Sequence, residues 1–204
     1  MKKIMIIMIV MAGLVSCYTP GKLPDTIRNQ ALDEMERFRR SFLEGRVCDA
    51  ELSLVNAIDI FAQLDDICAI SDAYIQKYLF FSYVKKSDET LLTKADEFAS
   101  VGKCAEEKRT VEELRRLSAG GSSPAKPGKS PNDIYHSVML RKAAKVQKDI
   151  KYVEGALEID RNNGWTYFII LDLNILKDLT EDEVEKERLQ KRIEFLSGYI
   201  QDCE

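Results

Sequence analysis

The stretch Gly155-Ala156-Leu157-Glu158-Ile159-Asp160-Arg161-Asn162-Asn163-Gly164-Trp165-Thr166-Tyr167-Phe168 decides how this chain folds. A small and an apolar residue, Ala156 and Leu157, lead into a polar run that Gly164 closes, and an aromatic group opens the next segment. That order reads as one helix ending, a tight turn and a second helix starting, since glycine takes the left-handed conformation that stops a helix at least cost. The second segment, Trp165 to Lys177, is apolar around much of its circumference, which predicts a central, buried position.

Working outward from this junction, Ile134, Val138, Val146, Ile150, Val153 and Leu157 form one long apolar row. It begins behind Ser130 as N-cap, Pro131 at the favoured first helical position and Asp133 in the first turn. On the other side, Thr180-Glu181-Asp182-Glu183 has the order of a capping box and opens a last helix with Val184, Leu189, Ile193, Leu196 and Ile200 inward.

Nearer the N-terminus, Ile27, Ala31, Met35, Phe38 and Phe42 share a helical face, and Gly45 supplies a stop. A second helix from about Asp49 turns Ala50, Leu54, Ala57, Ile58 and Phe61 inward, and a third does so with Ile70, Ala73, Tyr74, Tyr78, Phe81 and Val84. Ser87, with Asp88 and Glu89 behind it, caps a fourth that reaches about Val101 and ends at Gly102. Ala105 to about Leu117 is the most polar helix and is predicted to be the least buried. Gly120, Gly121, Pro124, Pro127 and Gly128 mark residues 118–130 as a loop insertion. The spacing therefore predicts an all-α fold of about eight helices in four antiparallel hairpins, with no strand.

The Gly155 to Phe168 junction resembles the boundary between consecutive tetratricopeptide repeats, where a small residue, a leucine and an acidic turn close one helical pair and an aromatic opens the next. Ala156 and Trp165 match that pattern; Arg161 stands where the family usually has proline, and Asp149 where it has alanine. Ala50, Leu54, Ala57 and Ile58 give a second, weaker match. The resemblance implies a right-handed array of hairpins, and a helical bundle is the alternative.

The first residues carry a different signal. Met1-Lys2-Lys3 is a basic start, Ile4 to Val15 an apolar run too short to cross a hydrocarbon core, and Leu14-Val15-Ser16-Cys17 follows. This resembles the signal peptide and lipobox of bacterial lipoprotein precursors. The resemblance implies cleavage before Cys17, acylation of its sulfur, and attachment to a membrane of the bacterial cell envelope, facing the periplasm or the exterior. Residues 1–16 would then be the signal peptide, 17–25, with Pro20, Gly21 and Pro24, a flexible tether, and 26–204 the helical domain.

Charge and residue inventory narrow the chemistry. The formal net charge is −4, and loss of Lys2 and Lys3 with the signal moves it to −6. With no cluster of Lys and Arg to neutralise phosphates, nucleic acid is not an expected partner. His136 is the lone histidine, so a multi-histidine metal site is excluded. Gly128-Lys129-Ser130 suggests a phosphate loop, but Ser123 occupies the required first glycine and two prolines remove donor N–H groups. No nucleophile elbow or dinucleotide fingerprint is present, so no catalytic residue, cofactor or metal is expected. Cys48, Cys68, Cys104 and Cys203 are permitted to form disulfides after export, and their pairing is open.

These features predict a membrane-tethered scaffold that binds another envelope protein or peptide through a groove between hairpins. The alternative is a carrier enclosing a small apolar ligand for an envelope transporter. Tyr74, Tyr78, Trp165, Tyr167 and Phe168 are the candidate binding residues for either role, and otherwise are core packing. A closed, dry pocket near Trp165 would favour the carrier; an open face bearing exposed aromatics would favour the scaffold.

Overall fold

The computed structural model describes residues 24–84, 88–118, 133–201 and 203. The chain is all-α, with nine helices among the described residues: α1 (Pro24–Leu43), α2 (Val47–Gln63), α3 (Ile67–Tyr83), α4 (Glu89–Gly102), α5 (Ala105–Ser118), α6 (Asp133–Gln147), α7 (Ile150–Asn163), α8 (Thr166–Leu179) and α9 (Glu183–Ser197). None is long and apolar enough to cross a membrane. The predicted signal peptide and Cys17 fall outside the described residues, as does nearly all of the predicted loop insertion.

Each helix buries the face that its apolar spacing selects. On α1, Ala31, Met35, Phe38 and Phe42 are buried, and Pro24 and Asp25 already belong to the helix. Pro24 and Asp25, expected to belong to a tether, are therefore helical, and the fixed φ of proline suits a helix start. Gly45 adopts a φ of +86°, which favours glycine at the turn, and an added Cβ there would also displace the tip of the Ile200 side chain. Phe38 and Phe42 each contribute about 1.5–3 kcal/mol by leaving water. Exposed pairs such as Arg37–Glu34 are worth about 0–1 kcal/mol, so the aromatic face and not the charged one holds α1 in place.

The helices pack as antiparallel neighbours, α1 on α2, α3 on α4, and α7 between α6 and α8, with α9 on α8. Alternate helices also touch, α1 with α3, α3 with α5, and α6 with α8. Two sub-assemblies, α1–α5 and α6–α9, meet where α8 lies against α1. Phe42 stacks on Tyr167 at 5.5 Å, Phe80 meets Phe38 and Phe42 at 5.6 Å each, and Tyr83 meets Phe168 at 6.0 Å. As expected, α5 is sparsely buried, with Val111 as its inward residue.

Four boundaries differ from the sequence expectation. The long row from Ile134 to Leu157 is two helices, because Lys148 turns left-handed at φ +52° and Asp149 caps α7 by accepting from the Lys151 N–H at 3.0 Å. Val146, expected inward, is 84% exposed as a result. The cap of α4 is Asp88, accepting from the Thr90 N–H at 2.9 Å, and Lys103, not Gly102, takes the left-handed position that ends it. The cap of α9 is Asp182, and Thr180 instead closes α8. At each of these three starts an aspartate carboxylate accepts from the N–H two residues on.

Cys48 pairs with Cys203 and Cys68 with Cys104. The first bond belongs to a C-terminal strap: the Gln201 N–H donates to the Gly45 carbonyl at 2.8 Å and the Val47 N–H to the Gln201 carbonyl at 3.2 Å. The second ties the start of α3 to the turn between α4 and α5.

Candidate functional site

A buried polar cluster lies at the heart of α6–α9. Arg141 on α6, Asp160 on α7 and Asp172 on α8 are all withdrawn from water, the two aspartates fully. The Arg141 guanidinium donates to Ser137 Oγ at 2.7 Å and lies 3.3 Å from Asp160 and 3.5 Å from Asp172. Ser137 in turn donates to Asp160 Oδ1 at 2.6 Å, and the guanidinium rests 4.0 Å over the Phe168 ring.

One cation facing two buried carboxyls cannot keep both ionised. Burial raises Asp160 above the ordinary carboxylate range, partly offset by Arg141 and Ser137. For Asp172, burial first and the neighbouring Asp160 push the carboxyl to about 9. Asp172 is therefore a neutral acid at pH 7, Asp160 is the counter-charge of Arg141, and the cluster is electrically balanced. As an ionised acceptor, Asp172 finds no donor for either oxygen. Protonation removes that difficulty, because the acid can donate to Asp160. Burial also lowers Arg141 from its usual value and raises Tyr83. Through Arg141, Asp160 and Asp172 the cluster ties α6, α7 and α8 to one another.

Two accessible clefts flank α9. A cleft of about 510 Å³ separates α9 from α7, with Leu157, Leu176 and Leu189 in its lining beside three arginines, Arg161, Arg188 and Arg192, and three glutamates, Glu154, Glu158 and Glu185. Arg188 is paired with Glu185 at 3.0 Å. Among the described residues no carboxylate lies within 4.0 Å of Arg161 or Arg192. Burial, and then the charges of Arg161 and Arg188, pull the Arg192 guanidinium below its ordinary value. Beyond Arg192 a second groove, of about 570 Å³, runs between the end of α9 and the Gly45 turn, lined by Phe195, Tyr199, Thr166 and Arg46 among others. Phe195 and Tyr199 are 66% and 60% exposed and meet edge to face at 5.3 Å.

The structure does not bring the five sequence-selected aromatics together as one site. Phe168 and Tyr78 are buried, in different clusters. Trp165 and Tyr167 are partly buried against Phe168 and Phe42, and Tyr74 stacks on Phe98 at 5.7 Å. They join helices. His136 is partly buried near the start of α6. Cys68, Cys104 and Glu107 approach as a metal site would, but both sulfurs are consumed by the disulfide. Phe195, Tyr199 and the arginines do not stand out in the sequence because α9 reads as a charged, solvated helix; two aromatics outside its inward row are the available signal.

Fold and site define an all-α protein of antiparallel helical hairpins with an open, part-basic and part-aromatic flank on its last helix. Comparison with protein-family models, with curated proteins and with solved structures yields no match to this chain.

Proposed function

We propose that this chain is a lipid-anchored scaffold of the bacterial cell envelope, which holds a partner protein or peptide against its helical hairpins. The anchor reading rests on the Lys2-Lys3 start, the apolar run and Leu14-Val15-Ser16-Cys17, where the Cys17 sulfur is the acyl acceptor. Two or three chains would hold it durably, since each buried methylene contributes about 0.8 kcal/mol. The alternate-helix contacts support a tetratricopeptide-like stack, in which each hairpin leaves a flank free for a ligand.

The observation that carries the binding role is the Phe195–Tyr199 pair, two aromatic rings left largely in water beside an open groove. Exposed large apolar groups gathered in one place mark interaction surfaces. The carrier alternative draws less support, because Trp165, Tyr167 and Phe168 pack on Phe42, Tyr83 and one another instead of around a closed cavity.

Two measurements test this. Cells fed a clickable fatty acid should label the native chain, and Cys17→Ser should lose the label; undiminished labelling of that variant refutes the anchor. A photo-crosslinking residue at position 199 should give a discrete adduct in cells that weakens with Phe195→Ser. The same adduct obtained from exposed position 101 would refute a specific surface.

A further inference from the structure

Arg188, Arg192, Phe195 and Tyr199 recur at helical intervals along α9 and the turn that follows it, so they form one stripe on its flank. The α7–α9 cleft and the Gly45-side groove lie in succession along that stripe: Arg161 and Arg192 border the first, and Phe195, one turn on, opens the second. We propose that this flank binds an acidic polypeptide segment, its carboxylates paired with Arg161, Arg188 and Arg192 and its next apolar side chain laid on Phe195 and Tyr199. The proposal rests on the scaffold reading and names its partner's chemistry.

Charge complementarity selects the occupant. The charges of Arg161 and Arg188 both act against Arg192, Glu185 offsetting them in part, and Arg161 and Arg192 have no carboxylate at ion-pair distance within the described structure. An incoming carboxylate relieves that repulsion and can take a bidentate pair from arginine. Leu157, Leu176 and Leu189 give the cleft an apolar lining that a small inorganic anion would leave unused, whereas a peptide side chain would cover it. An anionic membrane surface fits less well. Glu154, Glu158 and Glu185 share the cleft's lining, and the chain as a whole is acidic at −4. A broad negative plane meets those glutamates together with the arginines, while a peptide can set single carboxylates against Arg161 and Arg192.

The probe is a fluorescein-labelled peptide with a run of glutamates followed by phenylalanine, titrated by anisotropy against the full chain in a neutral detergent at low salt. The doubly substituted Arg161→Gln, Arg192→Gln chain should bind at least about tenfold more weakly. Replacing the peptide's glutamates by glutamine should weaken binding to the native chain by a similar factor and change little further with the variant, as expected for coupled partners. Phe195→Ser should weaken the phenylalanine peptide and leave an alanine version unchanged. Inorganic phosphate and glycerol 3-phosphate should compete poorly. Absent binding, unchanged affinity in the arginine variant, or displacement by glycerol 3-phosphate as effective as unlabelled peptide would each overturn the proposal, the last in favour of a headgroup site. Both arginines lie near the surface, and an unchanged thermal melt separates lost contact from lost fold. Peptide binding without any adduct at position 199 in cells would sink the scaffold role and spare the site; adducts without arginine dependence would do the reverse.

Discussion

Replacing Asp172 by asparagine should flatten the chain's stability against pH. In the folded state the Asp172 carboxyl titrates at about 9, against 3.8 for the free side chain. An acid whose folded value is raised binds more protons folded than unfolded, so its stabilising contribution is present at low pH and is lost as pH rises through this window. Each unit within the window corresponds to about 1.4 kcal/mol for one proton, so from pH 5 to pH 8 the native chain should lose on the order of 4 kcal/mol through this group. Asparagine has nearly the same shape, carries no charge and can donate to Asp160, so the variant should lose that slope and match or exceed the native chain at pH 8. Asp160→Asn should behave differently. Arg141 would then draw its counter-charge from Asp172, whose titration should fall sharply. The double substitution leaves Arg141 buried and unpaired at a cost of about 3–5 kcal/mol. Urea denaturation of the chain from Pro24, disulfides intact, followed by circular dichroism from pH 5 to 8.5, measures all three. An Asp172→Asn variant with the native slope would show that Asp172 is ionised and that the charge balance argued for the cluster is wrong.

At the junction between α7 and α8, Ala156 is fully buried, so Ala156→Leu should force the helices apart at about 1–3 kcal/mol. Trp165→Ala should cost about 3 kcal/mol, its indole being part of the aromatic cluster, and Glu187→Gln, in an exposed pair with Lys191, no more than about 0.5 kcal/mol; chemical denaturation ranks them, and a neutral Trp165→Ala would remove that residue from the packing. By loop-closure entropy, breaking Cys48–Cys203, with a sequence separation of 155, should cost about 5 kcal/mol, and breaking Cys68–Cys104, with 36, about 4 kcal/mol. Serine pairs at each bridge test the order, and a larger loss at Cys68–Cys104 would show that the strap frays without unfolding the domain.

Spacing of apolar residues was sufficient to find the helices because burial depends on it directly. Ala31, Met35, Phe38 and Phe42, and Ala50, Leu54, Ala57 and Phe61, are inward as their periods require. The Lys148 break was not legible, since no glycine or proline marks it. The chain reverses there because Ala144 and Val153 can reach a shared cluster with Ile175 once α6 and α7 fold back on each other. Asp149, out of place for the repeat pattern, was the trace of that reversal. Asp160 reads as a polar turn residue, yet it is buried three residues beyond Leu157 on the same face. A solitary acid such as Asp172 amid Phe168, Leu171, Leu173 and Ile175 was the better clue to a buried charge partner. Which aromatics face water was beyond spacing alone: Tyr167 and Phe168 pack on Phe42 of α1 and Tyr83 of α3, distant in sequence, while Phe195 and Tyr199 stay largely exposed.

The C-terminal strap gives the molecule a short load path. With Cys48 bonded to Cys203, tension applied between Pro24 and the C-terminus runs through α1, the Gly45 turn and the sulfur bridge, bypassing every helix from α2 to α9. The extensible segment is residues 24–48, which even fully drawn out spans about 85 Å at roughly 3.4 Å per residue. A chain tugged from its N-terminal end can therefore surrender α1 alone, while the polar cluster and the α9 flank stay inside a covalent ring that carries no force.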